Sequence, residues 1–300
     1  MNQAEFYRPV TGLLDPEWLQ MKRVAVVGLG SGGCRVAAEL GRMGVHLLLV
    51  ERPGERIEEH NIVRHLLGYR SLGKSKLSEM ARHVRNLNPT AHVRSCSLDV
   101  VEQQPSFERL LARWHPDLVA VCTDNEPSKH AINEVALRLK LPQTGGAVYE
   151  GGIGGEVYRV PAGGACYGCL AAQLQLHRQV PKGATPDYTG AGNHRTPTTV
   201  ALNLDIEQIA LLQCRMTLEM LLEPSPGLTG LPPEVNLCVF ANRLVPGTFA
   251  RPWHAEFFSV ERRPDCLGCG QAPANVEAEA GKILSTLQGA APGSPTQPWG

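Results

Sequence analysis

The sequence predicts an α/β fold built around a mostly parallel sheet with helices on both faces. Continuous apolar runs alternate with helix-like stretches through the first half of the chain, most clearly at residues 23–28, 45–50 and 117–122. Strands that are buried on both faces typically show uninterrupted apolar runs, and helices cross over between them. The alternation therefore predicts βαβ units and a parallel sheet.

The elements of this half can be assigned in chain order. The strand at 23–28 leads through a glycine-rich turn into a helix rich in Ala and Leu that ends near residue 43, and a second strand follows at 45–50. The remaining predicted elements are a helix over 74–87, a strand in AHVRSCSL, a strand at 117–122, a helix over 127–139, and short strands in PQTGGAVY and GGEVYRV.

The second half has a different composition. Residues 178–199 contain Pro, Gly and Thr and almost no large apolar side chain, which predicts a mobile loop within a crossover segment at about 173–199. The stretch 200–222 predicts a long helix that is buried or lies in a dimer interface. Two strands, in NLCVFANR and AEFFSVER, follow. Residues 271–300 predict a short helix and a disordered tail rich in Pro and Gly.

Composition and charge exclude several classes of function. The chain has 300 residues, of which 43% are hydrophobic, and its 29 basic and 29 acidic side chains give a net charge of zero. This balance argues against a generally basic nucleic-acid binder and against a polybasic membrane-surface protein. No apolar run approaches the roughly 18 residues that a membrane-spanning helix needs, and the start of the chain lacks a secretory signal. We therefore expect a cytoplasmic protein.

Four of the nine cysteines form two CxxC pairs. These are Cys166 with Cys169 and Cys266 with Cys269, and 96 residues separate the two pairs. In a reducing compartment, an odd cysteine count with this spacing indicates a metal before a disulfide framework. Thiolates spaced in this way can share one tetrahedral Zn²⁺, and a site closed by four sulfurs is structural because it leaves no open position for catalysis.

A glycine motif follows the first strand directly. Gly28, Gly30 and Gly33 give GxGxxG at the start of a helix, and Glu51 closes the second strand. Glycines at such a turn let the backbone approach a phosphate, the helix N-terminus supplies N–H groups, and an acid at the end of the next strand can bind ribose hydroxyls. The motif predicts a Rossmann-like site for an adenine nucleotide, with both NAD and ATP left open.

The residues after Glu51 favour ATP. Asn61, Arg64 and Lys76 follow it, and Asp124 comes directly after the strand at 117–122. Cationic side chains neutralise phosphate charge and a carboxylate can hold Mg²⁺, whereas a hydride-transfer site rarely needs several cations. A solvated basic helix face is the alternative explanation for the lysines.

Taken in order, GLGSGG, Glu51, N-x-x-R, G-K-S-K, CTDN, CYGC and CLGC resemble the motifs of the ThiF/MoeB family. This is the ubiquitin-activating-enzyme superfamily, which includes the adenylyltransferases for molybdopterin synthase and for the thiamine-pathway sulfur carrier. The resemblance covers roughly residues 20–270 and implies one adenylation domain over 1–270. It further implies a C-terminal antiparallel portion that receives a carrier protein, a structural zinc and a homodimer.

The resemblance also implies roles for individual residues. Gly30 and the neighbouring loop would contact ATP, Glu51 would contact its ribose, and Glu55 would match a second acid after the strand. The residues implied at the triphosphate are Asn61, Arg64 and Lys76. Asp124 would bind Mg²⁺ and orient the reacting phosphate, and Arg8 would reach the ATP site of the partner subunit.

The implied function is ATP-dependent adenylation of the C-terminal glycine carboxylate of a ubiquitin-like or sulfur-carrier protein. No cysteine lies in residues 170–199, and the five cysteines outside the CxxC pairs fall in predicted helices and strands. We therefore expect the acyl group to pass to a nucleophile on another protein, either a conjugating enzyme or a sulfur donor. The alternatives are an NAD-dependent oxidoreductase and a silent subunit of a heterodimeric activating enzyme.

Overall fold

The computed structural model describes residues 2–177, 200–222 and 230–270, and it confirms the predicted fold class. Within these residues eight strands form one sheet in the order β3-β2-β1-β4-β5-β6-β7-β8. The strands are β1 (Arg23–Val27), β2 (His46–Glu51), β3 (Val93–Ser97), β4 (Leu118–Val121), β5 (Gln143–Val148), β6 (Gly154–Val160), β7 (Leu237–Ala241) and β8 (His254–Phe258).

The sheet has a parallel half and an antiparallel half. Strands β1 to β5 pair in parallel in the order 3-2-1-4-5, and the three strands from β6 to β8 are antiparallel to their neighbours. Strand β1 lies between β2 and β4, so the chain reverses its direction of winding there. In open α/β sheets, ligands bind outside the carboxyl ends of the strands at such a switch point.

Nine α-helices surround the sheet in the described residues. They are α1 (Gln3–Tyr7), α2 (Pro16–Leu19), α3 (Ser31–Arg42), α4 (Glu59–Ile62), α5 (Lys76–Leu87), α6 (Gln104–Trp114), α7 (Glu126–Leu139), α8 (Tyr167–His177) and α9 (Asn203–Leu222). Helices α3, α5, α7 and α9 were predicted from the sequence, whereas α6 and α8 and the short helices α1, α2 and α4 were missed. Helix α8 extends to His177, into the start of the predicted crossover segment.

Two apolar layers cover the parallel half. Val24 and Val26 of β1 face a layer that includes α3, α5 and α9, whereas Ala25 and Val27 face a layer that includes α6 and α7. All four side chains are buried, as expected for a strand that is covered on both faces. Burial of this kind stabilises a fold by roughly 25 cal/mol per Å² of apolar surface, and here it fixes the strand ends that carry the glycine motif.

Some sequence predictions fall outside the described residues. The loop at 178–199 and the C-terminal helix and tail at 271–300 are among them. No helix in the part of the chain that the structure describes is both long enough and apolar enough to cross a bilayer.

Candidate active site

The glycine motif forms the turn between β1 and α3 at the carboxyl edge of the parallel strands. Gly28 has a φ of 93°, and a Cβ there would lie 2.8 Å from the carbonyl oxygen of Cys122, so the turn requires glycine. A Cβ on Gly33 would lie 2.0 Å from the carbonyl oxygen of Gly28. At Gly30, by contrast, a Cβ would meet no described protein atom within 4 Å. The space beside Gly30, at the start of α3, is open to a ligand.

Both backbone groups of Leu29 are held by side chains, one from the half-buried Glu51 and one from the buried His65. The Leu29 N–H donates to Glu51 Oε2 at 2.6 Å, and the second oxygen of Glu51 accepts the N–H of Arg52 at 2.8 Å. On the other side, His65 Nε2 lies 3.2 Å from the Leu29 carbonyl oxygen, and Nδ1 accepts the N–H of Leu67 at 3.1 Å. Because Nδ1 is an acceptor, the neutral ring carries its proton on Nε2 and donates it to Leu29. The turn is therefore fixed before any ligand binds.

Burial shifts the pKa values of both side chains. Removal from water raises the pKa of Glu51, although the two backbone N–H groups and Lys76 oppose the shift. Burial also lowers the pKa of His65, and the nearby charges of Lys76 and Arg64 act in the same direction. A carboxylate has about four acceptor positions, so Glu51 can still accept hydrogen bonds from a sugar hydroxyl.

Lys76 and Glu55 form an ion pair at the start of α5. Lys76 Nζ lies 2.7 Å from Glu55 Oε2, and Arg52 Nη2 lies 3.0 Å from the other oxygen of Glu55. The Lys76 side chain is only 13% exposed, so it does not belong to a solvated basic face. Arg64, which is half-buried, adds a second positive charge that acts on His65 together with Lys76.

Asn61 and Asp124 occupy different settings. Asn61 Oδ1 accepts the N–H of Glu58 at 3.0 Å and closes the first turn of α4. Asp124 is exposed in the turn between β4 and α7, and the neighbouring Asn125 caps α7 by accepting the N–H of Ser128 at 2.9 Å. The same turn contacts the glycine motif through Cys122 and Gly28. An exposed carboxylate beside this motif is accessible to a cation.

Arg8 lies apart from this cluster within the chain. It pairs with Glu5 at 3.2 Å and is largely exposed. The adjacent Tyr7 is buried, where its hydroxyl accepts from Asn88 at the end of α5. This end of α5 is the opposite end from Lys76. The contact of Arg8 with the ATP site of a partner subunit stays a prediction.

The four cysteines of the two CxxC pairs come together, as predicted. Cys166, Cys169, Cys266 and Cys269 place their sulfur atoms within 4.8 Å of one another. Burial opposes ionisation of Cys266, but the N–H groups of Cys269 and Gly268 lower its pKa to about 7. Four such sulfurs suit a tetrahedral metal site of the structural kind.

The other five cysteines have the character of core residues. Cys34, Cys214 and Cys238 are buried, and burial raises the pKa of Cys238 to about 11 and that of Cys122 to about 12. The pKa values of Cys34, Cys96 and Cys214 are also raised by burial. Reactive thiols need a lowered pKa and an accessible sulfur, and these five lack that combination.

Comparison with known proteins shows the family. A model of the ThiF family matches residues 6–244. The chain belongs to the ThiF family. Among its relatives, it is 27% identical over 290 residues to the adenylyltransferase and sulfurtransferase MOCS3 of Sus scrofa, covering 93% of this chain and 56% of that protein. It is 30% identical over 186 residues to a sulfur carrier protein adenylyltransferase of Thermus thermophilus, covering 58% of this chain and 63% of the relative.

Other relatives differ in how much of their length this ThiF-family chain spans. It covers 82% of the SAMP-activating enzyme E1 of Haloferax volcanii, with 27% identity over 256 residues and 84% of this chain aligned, but less than two thirds of the first two relatives. Among solved structures, E. coli MccB with ATP superposes with a TM-score of 0.61 at 16% identity, covering 85% of this chain and 68% of MccB. At that identity the likeness shows the fold alone.

The structure adds site residues that the sequence analysis did not assign. His65 belongs to none of the motifs found in the sequence, and its contact with Leu29 spans 36 positions of the chain. Glu126 and Tyr167 meet across 41 positions, with the Tyr167 hydroxyl donating to Glu126 Oε2 at 2.7 Å. No local sequence pattern predicts either contact. Their only sequence signal is position, because His65 directly follows Arg64 and Tyr167 directly follows Cys166.

Proposed function

We propose that this ThiF-family protein adenylates the C-terminal carboxylate of a ubiquitin-like or sulfur-carrier protein with ATP. The observation that carries the proposal is the open space at Gly30, next to a preformed turn that the half-buried Glu51 and the buried His65 hold, with the charges of Lys76 and Arg64 acting on His65. The names of the relatives, which are adenylyltransferases and an E1 activating enzyme, support the same reaction class. Because the chain spans only part of some relatives, the activity is inferred from the site itself.

The described residues fit ATP better than NAD. The Leu29 turn and the start of α3 offer backbone N–H groups to phosphate, and Glu51 lies where ribose hydroxyls would be bound. Lys76 and Arg64 supply positive charge for a triphosphate, and Glu55 keeps Lys76 oriented until an anion competes for it. A nicotinamide site gives these cations and Asp124 no role, so the oxidoreductase alternative is disfavoured. The retention of Lys76, Arg64 and Asp124 also disfavours a silent subunit.

The reaction needs no covalent contribution from the protein in its first half. An oxygen of the carrier's carboxylate forms a bond to the α-phosphorus of ATP, the bond from that phosphorus to the bridging oxygen breaks, and pyrophosphate leaves. Positive side chains lower the barrier by neutralising charge on the phosphates, and the fixed turn holds the nucleotide in place. Lys76 and Arg64 supply that neutralisation here.

Two metals fit the residues present. The exposed carboxylate of Asp124 offers a hard oxygen ligand to Mg²⁺, which ATP itself helps to hold. Bound there, Mg²⁺ would neutralise phosphate charge. The four cysteines would hold Zn²⁺ in a closed site that leaves no position for catalysis.

The partners follow from the remaining cysteines. Because the five outside the cluster are buried or half-buried with raised pKa values, a nucleophile on another protein is the acceptor of the acyl group in our proposal. That protein would be a conjugating enzyme or a sulfur donor. We further propose a cytoplasmic homodimer, in which Arg8 of one subunit serves the ATP site of its partner.

The test is ATP–pyrophosphate exchange with Mg²⁺ and candidate β-grasp proteins that end in glycine. Exchange that requires one carrier and its terminal glycine would establish the activity and identify the substrate. Asp124→Ala is expected to reduce exchange by about 100-fold or more, the usual effect of removing one electrostatic contact to the transition state.

The matched control is Asp117→Ala. Asp117 is an exposed aspartate at the other end of β4, where it accepts the N–H of Arg23 at 2.8 Å. This variant should retain exchange. If no carrier supports exchange although ATP binds, the silent-subunit alternative is favoured. If NAD binds and ATP does not, the proposal is wrong.

A further inference from the structure

Tyr167 connects the cysteine cluster to helix α7. It directly follows Cys166 in the chain and is only 2% exposed. Its hydroxyl donates to Glu126 Oε2 at 2.7 Å, and its backbone N–H donates to Asn133 Oδ1 at 3.0 Å. Tyr167 thus contacts α7 at two residues, Glu126 and Asn133, which lie about two helical turns apart.

The held end of α7 carries the Asp124 turn. Glu126 is the first residue of α7 and lies two positions after Asp124. Its other oxygen accepts from Lys129 Nζ at 2.9 Å, and Lys129 is only 5% exposed. The carboxylate is therefore held at both oxygens, one by an ammonium and one by the Tyr167 hydroxyl. Charge-assisted hydrogen bonds of this kind are among the stronger contacts in proteins.

The second CxxC pair contacts the same helix. A Cβ on Gly268 would lie 3.2 Å from Cys166 Sγ and 3.4 Å from Asn133 Nδ2, so the loop between Cys266 and Cys269 lies against α7. Leu137, near the end of α7, packs on the cluster. Both halves of the cluster therefore lie along one rigid helix whose first turn leads from Asp124.

We propose that metal bound by the four cysteines positions the Asp124 turn through Tyr167 and α7, so that metal binding and Mg·ATP binding stabilise each other. The inference depends on the proposed function, because it requires ATP at the Gly30 site and metal at the cysteines. Metal ligation fixes the Cys166 loop, the loop fixes Tyr167, and Tyr167 fixes the carboxylate of Glu126. Tyr167 is a positioning residue, since it acts on the site only through α7.

Coupling between two ligands is reciprocal in their affinities, and a change of affinity appears mostly in the dissociation rate, so the release of zinc tests the coupling. The rate of zinc release from the full-length, metal-loaded protein to a chromophoric chelator is measured with and without Mg·ATP. We expect Mg·ATP to slow release by about fivefold or more, the lower end of typical coupling factors. This measurement does not require the metal-free protein to stay folded.

Tyr167→Phe removes the hydroxyl and leaves the ring, so it should bind zinc normally but lose the effect of Mg·ATP on release. Tyr149→Phe is the matched control, because the Tyr149 hydroxyl donates to Glu156 Oε2 at the same 2.7 Å but contacts no α7 residue through that bond. It should keep the full effect. Equal slowing in Tyr167→Phe and wild type would overturn the inference.

Calorimetric titration with Mg·ATP distinguishes a failure of the coupling from a failure of the proposed function. If the wild type binds Mg·ATP and yet releases zinc at an unchanged rate, the coupling is wrong while the proposed function stands. If it binds zinc but not Mg·ATP, the proposed function itself fails. Weaker Mg·ATP binding in Tyr167→Phe, with Tyr149→Phe unchanged, would support the coupling from the nucleotide side.

Discussion

The parallel and antiparallel halves of the sheet are stabilised in different ways. Strands β1 and β4 are buried along nearly their whole length between two apolar layers, whereas β8 at the sheet edge has only exposed and half-buried residues. The antiparallel half has specific side-chain hydrogen bonds instead. The Asn236 side chain, for example, donates to the carbonyl oxygen of Val260 and accepts its N–H, both at 2.8 Å. It also has the cysteine cluster. Apolar burial supports the parallel half, and specific side-chain contacts support the antiparallel half.

The difference explains which features can be predicted from sequence. The strands at 23–28, 45–50 and 117–122 were predicted to within one or two residues, because strands covered on both faces are continuous apolar runs. The glycine motif and the cysteine pairs were found because each is a short local pattern. Helix α6 was missed, although Phe107, Leu111 and Trp114 are spaced as on one helical face and are buried.

Long-range contacts account for the remainder. Glu51 was assigned to a ribose, but its contact with the N–H of Leu29 depends on how β1 and β2 pair in register. The role of Tyr167 depends on where α7 lies beside the cysteine cluster. Neither contact leaves a periodic signal, because each joins elements that are brought together only by the completed sheet.

The largest expected effect tests the antiparallel half. Cys269→Ser removes one of the four sulfurs, and we expect zinc content to fall below one per chain and the free energy of unfolding to fall by about 4 kcal/mol, as for loss of a structural metal. Hydrogen exchange should accelerate in β7, β8 and α7 while β1 and β2 stay protected, because the apolar layers of the parallel half are intact.

Cys238→Ser provides the control for this variant. Cys238 is a buried cysteine of β7 in the same half, but it lies outside the cluster. It should keep its zinc and lose only about 1 kcal/mol, the typical cost of a point substitution. Equal zinc content and equal stability of the two variants would contradict a metal-supported half.

A smaller effect is expected in the parallel half, where the free energy of unfolding should depend on pH below neutrality. The pKa of His65 is lowered in the folded protein, so the unfolded chain takes up the proton first as pH falls through the ordinary value of 6.5. The free energy of unfolding should therefore fall below about pH 6.5 and be fully restored above it. Protonation would also remove the acceptor for the Leu67 N–H at Nδ1.

Denaturant titrations from pH 5 to 8 would measure this dependence. His65→Gln keeps one donor and one acceptor without titrating, so its profile should be flatter than that of the wild type on the acid side. His60→Gln, at an exposed histidine of α4, is the control for the substitution itself, because it leaves His65 in place. The same slope in both variants would show that His65 does not bind its proton differently in the two states.

The smallest expected effect concerns the five cysteines outside the cluster. They occur in both halves, Cys34 and Cys122 beside the glycine motif and Cys238 in the antiparallel half, and burial raises the pKa of each. A thiol that is deprotonated with difficulty is a poor nucleophile towards an acyl-adenylate.

With ATP and its carrier, the wild type should therefore form no covalent adduct that a reducing agent releases on a denaturing gel. Single serine variants at the five positions should behave in the same way, none losing acyl transfer to an added acceptor while keeping pyrophosphate exchange. An adduct that disappears in one variant alone would identify that cysteine as a nucleophile. Adenylation and acyl transfer would then both take place on this chain.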